Sequence, residues 1–173
     1  MLISEKLNAA VNAQIGREFG ASNQYLAIAA YFDRETLPEL AKFFYRQADE
    51  ERMHALKFVH YVVDTAGKVL IPAVEAPQTN IGSALAAAEL SLKWELEVTR
   101  QINALMDQAA KESDFLAQDF LRWFVNEQLE EVTSMEDLVS VIKRAGEGGL
   151  LLVEDYLSRR GAGGAAIESA PGA

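Results

Sequence analysis

Apolar residues recur along most of the chain in alternating steps of three and four, the spacing that keeps side chains on one face of an α-helix. The first such stretch runs from about Ser4 to Arg34, with Ser4 as N-cap. Its seam reads Val11, Ile15, Glu18, Ser22, Tyr25, Ala29 and Phe32. The second reads Leu40, Phe44, Gln47, Glu51, His54, Phe58 and Tyr61. It starts at "TLPE", with Thr36 as N-cap, Pro38 in the first turn and Glu39 closing a capping box, and it ends near Ala66 at Gly67. The third, about Ser83 to Ala110, carries Ile81, Leu85, Ala88, Leu92, Glu95, Thr99, Ile102 and Met106. The fourth, about Phe115 to Ala145, follows Ser113 or Asp114 as N-cap and carries Ala117, Leu121, Phe124, Gln128, Glu131, Met135, Leu138 and Ile142.

Between the second and third helices lies "GKVLIPAVEAPQTNIG", residues 67–82, whose two prolines, terminal glycines and β-branched residues make it extended. About 15 residues at roughly 3.3 Å each reach roughly 50 Å. The preceding helix, at 1.5 Å per residue over about 29 residues, is about 43 Å long. The link can therefore return along the whole bundle and set the second and third helices parallel, as in ferritin-like bundles. The predicted fold is all-α: a ferritin-like four-helix bundle with a long crossover between helices 2 and 3 and a short fifth C-terminal helix, "LLLVEDYLSRR", after the break at "AGEGG". The reading gives one domain over residues 1–160 and a disordered low-complexity tail, "GAGGAAIESAPGA", over 161–173.

Composition narrows the chemistry. The chain has 173 residues, half of them hydrophobic, enough for one domain with a sizeable core. With no cysteine, disulfides and thiolate-bound zinc or iron–sulfur sites are excluded. A net charge of −10 argues against a nucleic-acid partner and suits cationic ones. No stretch is apolar enough to span a bilayer, and no basic region precedes an apolar run at the N-terminus. The expectation is a soluble, cytoplasmic protein with no membrane partner.

The seams then raise a question of charge. Each carries a glutamate near mid-helix, Glu18, Glu51, Glu95 and Glu131, and the second adds His54 three residues after Glu51. If the four seams face one another, these groups meet at the centre of the bundle, where an uncompensated ion costs several kcal/mol. No lysine or arginine occupies a seam. Either the acids are protonated or a cation is present. A single acid on a seam is ordinarily a tilted, solvated residue, but four coincident acids and one imidazole make a metal site, suited to iron or manganese and open to zinc. The Glu-x-x-His pair puts two ligands one turn apart, and a bridging carboxylate such as Glu51 would let two metals share the site.

The segments "GREFGASNQYLAIAAYF", "FFYRQADEERMHALKF", "WELEVTRQIN" and "FLRWFVNEQLEEV", with the crossover and the fifth helix, resemble the bacterial non-haem ferritins from Ser4 to about Arg160. The resemblance implies a di-iron ferroxidase centre: Glu18, Glu51 and His54 on the first iron, and Glu51 as bridge with Glu95 and Glu131 on the second. Gln128 would hydrogen-bond the bound oxygen species or water, and Tyr25 would stand close as an electron donor. A third iron site maps onto Glu50, Glu127, Glu130 and Glu131, of which the last three share a helix face. Bacterioferritins carry a second Glu-x-x-His on the fourth helix and a haem-binding methionine directly after the bridging glutamate. Here Glu130 and Arg52 stand at those positions, so no haem is expected. His60 reads as a surface or interface residue, and Trp94 and Trp123 as packing residues, with Trp123 near enough to the site to supply an electron.

What the resemblance implies is a subunit that oxidises Fe2+ to Fe3+ with oxygen or hydrogen peroxide and stores ferric mineral in a hollow homo-oligomer of twenty-four subunits, with the apolar fifth helix at a four-fold contact. The alternative is a di-iron carboxylate oxygenase or peroxidase acting on a substrate; a bundle that has lost its metal is a further possibility.

Overall fold

The computed structural model describes residues 2–163. Its elements in order are α1 (Glu5–Arg34), α2 (Pro38–Asp64), α3 (Ala84–Lys111), α4 (Phe115–Ala145), one 3-10 turn (Glu147–Gly149) and α5 (Leu150–Gly163). Among the described residues there is no strand, and no helix is long and apolar enough to cross a membrane. Helix α5 continues to Gly163, and the rest of the low-complexity tail, 164–173, lies outside the described residues.

Three helices begin where a short polar side chain caps them. Ser4 Oγ accepts from Leu7 N, Ser83 Oγ from Ala86 N and Asp114 Oδ1 from Ala117 N. Each satisfies one of the backbone donors that a helix start leaves without an intrahelical partner. Helix α2 departs from the capping box read at "TLPE". Its N-cap is Leu37, and Thr36 lies in the left-handed region at φ 60°. The donors are met instead by a carboxylate from the far end of the chain: Glu154 on α5 accepts from Glu39 N at 2.8 Å and Leu40 N at 2.9 Å. A charged group at a helix start also favours the helix dipole. Because this contact both caps α2 and holds α5 to the bundle, Glu154→Ala should cost about 1–2 kcal/mol. A lower thermal midpoint in that variant checks it.

The crossover, residues 67–83, has no regular structure of its own and is fastened to α1. Asn12 Oδ1 accepts from Leu70 N at 2.7 Å while its Nδ2 donates to Lys68 O at 2.8 Å. Twelve residues on, Gln24 repeats the arrangement with Gln78, accepting at 2.8 Å and donating at 2.9 Å. Between these clamps Gly16 lies against Pro72, where a Cβ would collide with the proline ring. The link follows α1 upward and delivers α3 parallel to α2.

The core falls into two apolar halves. One gathers the C-terminal part of α1, the N-terminal parts of α2 and α3, the C-terminal part of α4 and Val153 of α5. The other gathers the opposite helix ends, including Leu7, Ile15, Phe58, Ile102, Leu121 and Phe124. This distribution is what parallel α2 and α3 require. Between the halves lies a polar layer, formed where the seams carry their glutamates.

Candidate metal centre

The residues of this layer arrive from all four long helices. Glu18 and Tyr25 come from α1, Glu51 and His54 from α2, Glu95 from α3, and Gln128 and Glu131 from α4, and every one of these seven is buried. Two groups offer ligand atoms lying within 4.8 Å of one another: Glu18 with Glu51 and His54, and His54 with Glu127 and Glu131. The Glu51–His54 pair follows from the turn of one helix, since residues three apart stack on the same face. The imidazole stands between the groups, with Nδ1 3.4 Å from Glu51 Oε2 and Nε2 3.7 Å from Glu127 Oε1. Edge-on contact with Trp123 and Phe124 fixes its plane.

Glu95 stands outside both groups. Tyr25 Oη donates to its Oε1 and Gln128 Nε2 to its Oε2 at 3.0 Å. The two residues read beside the iron pair are therefore joined through this carboxylate. Of the residues assigned to a third site, Glu127 and Glu131 fall in the second group, Glu50 is half-buried beside it, and Glu130 is exposed. His60 is exposed, and Lys57 Nζ lies 4.3 Å over the Trp123 ring.

Two glutamines were not assigned to the site in the sequence. Gln14 Nε2 donates to Glu18 Oε1 at 2.8 Å, while Arg17 Nη1 donates to Gln14 Oε1 at 3.1 Å. Gln47 Nε2 donates to Glu50 Oε2 at 2.5 Å and to Glu131 Oε2 at 3.1 Å. The available signals were the four-residue spacing from Gln14 to Glu18 and the place of Gln47 on the α2 seam.

The electrostatics is that of a cluster of acids with one imidazole as its positive partner. Burial pushes the Glu51 carboxyl well above its ordinary range and the charge of Glu95 adds to this, while His54 pulls the other way. Burial does the same to Glu131, reinforced by Glu95 and Glu50, and it raises Glu50 against the pull of Arg46. Glu95 is pushed up to about 7 by burial, with the Tyr25 hydroxyl opposing the shift. Burial, then the Glu95 charge, holds Tyr25 well above 10. For His54 burial disfavours the cation, yet its contacts with Glu127 and Glu51 outweigh that and raise its pKa well above 6.5. Among the described residues no lysine or arginine forms an ion pair with Glu18, Glu51, Glu95 or Glu131.

These residues fit a metal cation. Glu18 Oε2 is buried and has no hydrogen-bond partner among the described residues, a costly state unless another group completes it. A divalent ion would satisfy that oxygen, replace the protons that the raised acids otherwise hold, and use hard oxygen donors with one imidazole, a set suited to iron or manganese. An apolar groove of about 280 Å3, lined by Leu96, Ile102, Val125 and Leu129 with Thr99, reaches Gln128 between α3 and α4. A larger one of about 480 Å3 lies between α1, α3 and the crossover and touches none of the carboxylates of the centre.

A four-helix bundle with a long crossover and a buried glutamate–histidine layer defines a class of protein, and comparison with known proteins agrees. The profile of the ferritin-like domain matches residues 8–145. A ferritin, BfrB, of Mycolicibacterium smegmatis is 42% identical over 169 residues, covering 98% of this chain and 93% of its own. A bacterial non-heme ferritin of Bacteroides fragilis is 36% identical over 92% of this chain and 100% of its own. Among solved structures, an open-pore ferritin of the archaeon Archaeoglobus fulgidus superposes with a TM-score of 0.88 at 38% identity, covering 91% of this chain and 97% of that one. The chain belongs to the ferritin family, whose business is iron storage.

Proposed function

We propose that this protein is a ferroxidase subunit: it binds two Fe2+ within its own bundle, oxidises them with oxygen or hydrogen peroxide, and passes Fe3+ to mineral inside a hollow twenty-four-subunit cage in the cytoplasm. The observation that carries this reading is the buried carboxylate–imidazole layer with the orphaned Glu18 oxygen. Glu18, Glu51 and His54 would hold one iron, and Glu51, Glu95 and Glu131 the other. Glu50, Glu127, Glu130 and Glu131 would take a third. Two Fe2+ give up two electrons, and one O2 with two protons accepts them to become hydrogen peroxide. Placing both donors at one spot supplies the proximity that a two-electron reduction needs.

The protons have a source at hand. The Glu51 and Glu131 carboxyls and the His54 imidazole are all raised above their ordinary ranges, so metal binding would displace protons beside the oxidant. The apolar groove at Gln128 suits entry of a small uncharged gas. Tyr25, bonded to Glu95, stands where it could give an electron. For assembly, Leu151 and Leu152 of α5 are 77% and 69% exposed, an apolar face that a neighbouring subunit would cover. Acidic groups on the inner wall would draw Fe2+ inward and seed mineral.

Aerobic addition of Fe2+ to the metal-free protein tests this. Storage predicts many irons per subunit retained in a soluble particle of cage mass. Retention of about two would instead favour a substrate oxygenase with a two-metal centre, and retention of none a bundle without metal chemistry.

A further inference from the structure

Gln47 joins two carboxylates that otherwise belong to different surroundings. The residue is 3% exposed and precedes Glu51 by one turn on the α2 seam. Its single amide nitrogen donates to Glu131 Oε2, deep on α4, and to Glu50 Oε2, at the rim of the layer. An amide oxygen in that place would repel both acids, so chemistry fixes the NH2 group between them. Gln14 and Gln128 differ: each gives its amide to one carboxylate only, Glu18 and Glu95 respectively. Without Gln47, the ion pair left to Glu50 among the described residues is with Arg46, whose Nε lies 3.9 Å away and whose side chain is 56% exposed. Such a pair holds a side chain weakly.

We propose that Gln47 is a positioning residue that ties the buried Glu131 carboxylate to Glu50, so that both acids stay within reach of one ion as it leaves the centre. The inference rests on the ferroxidase reading. An ion handed from one carboxylate to the next needs both within reach at the same moment. One amide gripping both keeps Glu50 turned inward while Glu131 is still engaged. The Glu18–Glu51–His54 group makes no hydrogen bond with Gln47, so the binding of a first ion does not depend on it.

The test uses full-length Gln47→Leu, which fills similar space without a donor. Cobalt(II) titrated without oxygen, followed by its visible absorption, reports successive binding events without any turnover. Stopped-flow absorbance compares iron at about two per subunit, enough to fill the centre, with iron in large excess. Cage mass and first-ion affinity should match the wild type. Binding of the third cobalt should weaken about tenfold and sustained oxidation in excess iron should slow about tenfold, each by more than binding of the second cobalt or the first oxidation phase changes. Unchanged later binding and sustained oxidation would overturn the coupling. So would an equal loss at every stage, which would make Gln47 a support of the whole centre. If the wild type oxidises no iron, the ferroxidase reading fails by itself, and the cobalt titration still decides whether Gln47 couples the two acids.

Discussion

Glu51→Ala should abolish rapid iron oxidation while leaving the assembled particle intact. Glu51 is the residue the centre can least replace: it lies in the Glu18–His54 group and its electrostatic partners include Glu95 across the bundle. Loss of a residue that merely orients a metal ligand costs about 10–100-fold, so loss of a shared ligand should slow the first phase by about 100-fold or more. The fold has little stake in the side chain. Among the described residues its one side-chain contact within hydrogen-bonding range is with His54, and its removal relieves repulsion in a buried cluster of acids. Glu51→Gln serves as the companion, since it keeps the volume and removes the charge. Stopped-flow rates at the wild-type level in both variants, with unchanged gel-filtration volume, would refute the assignment.

The second large effect concerns pH. The metal-free protein should lose thermal stability as pH rises from about 5 to about 8. The Glu95 carboxyl titrates at 4.5 as an ordinary glutamate and at about 7 in the fold. Between those values the folded state holds more protons than the unfolded one, so stability falls with rising pH. Glu51 and Glu131 shift the same way. His54 adds the same sign, because its folded pKa is raised: its contribution is complete below 6.5 and disappears as pH climbs through the folded value. Glu95→Gln removes one titrating group and should flatten the curve. Across this range its thermal midpoint should fall less than that of the wild type by about 5 °C or more. Saturating Mn2+ or Zn2+ should reverse the trend, because the ion stabilises the deprotonated acids. Parallel melting curves for wild type and variant across the range would show that Glu95 is not raised.

Periodicity carried the sequence reading far because a helix seam is a local property. All the seam residues of α1, α2 and α4 are buried, and Ser4, Ser83 and Asp114 cap as their types require. The parallel course of α2 and α3 was legible from two prolines and a length. Periodicity names the face a side chain takes but leaves its rotamer open, so the sequence could not say that Glu95 would give both oxygens to Tyr25 and Gln128, or that His54 would stand between two groups. Non-local partners were equally out of reach. The α2 start is capped by a residue more than a hundred positions away, and nothing near Thr36 could reveal it. Gln47 stood on the seam in plain view, but its link to Glu131 crosses from α2 to α4.

The two amide clamps on the crossover bear on how such a chain can change over time. Asn12 and Gln24 are twelve residues apart on α1, a rise of about 18 Å. The crossover covers that distance between Leu70 and Gln78, eight residues able to stretch over about 26 Å. The strap therefore has slack between two fixed points. The phase of α3 against α2, and with it the height of Glu95 opposite Glu51, is set by where the amides grip and not by how much chain lies between them. A short insertion between Pro72 and Gln78 should therefore leave that height unchanged, because Asn12 and Gln24 still hold the two ends of the strap.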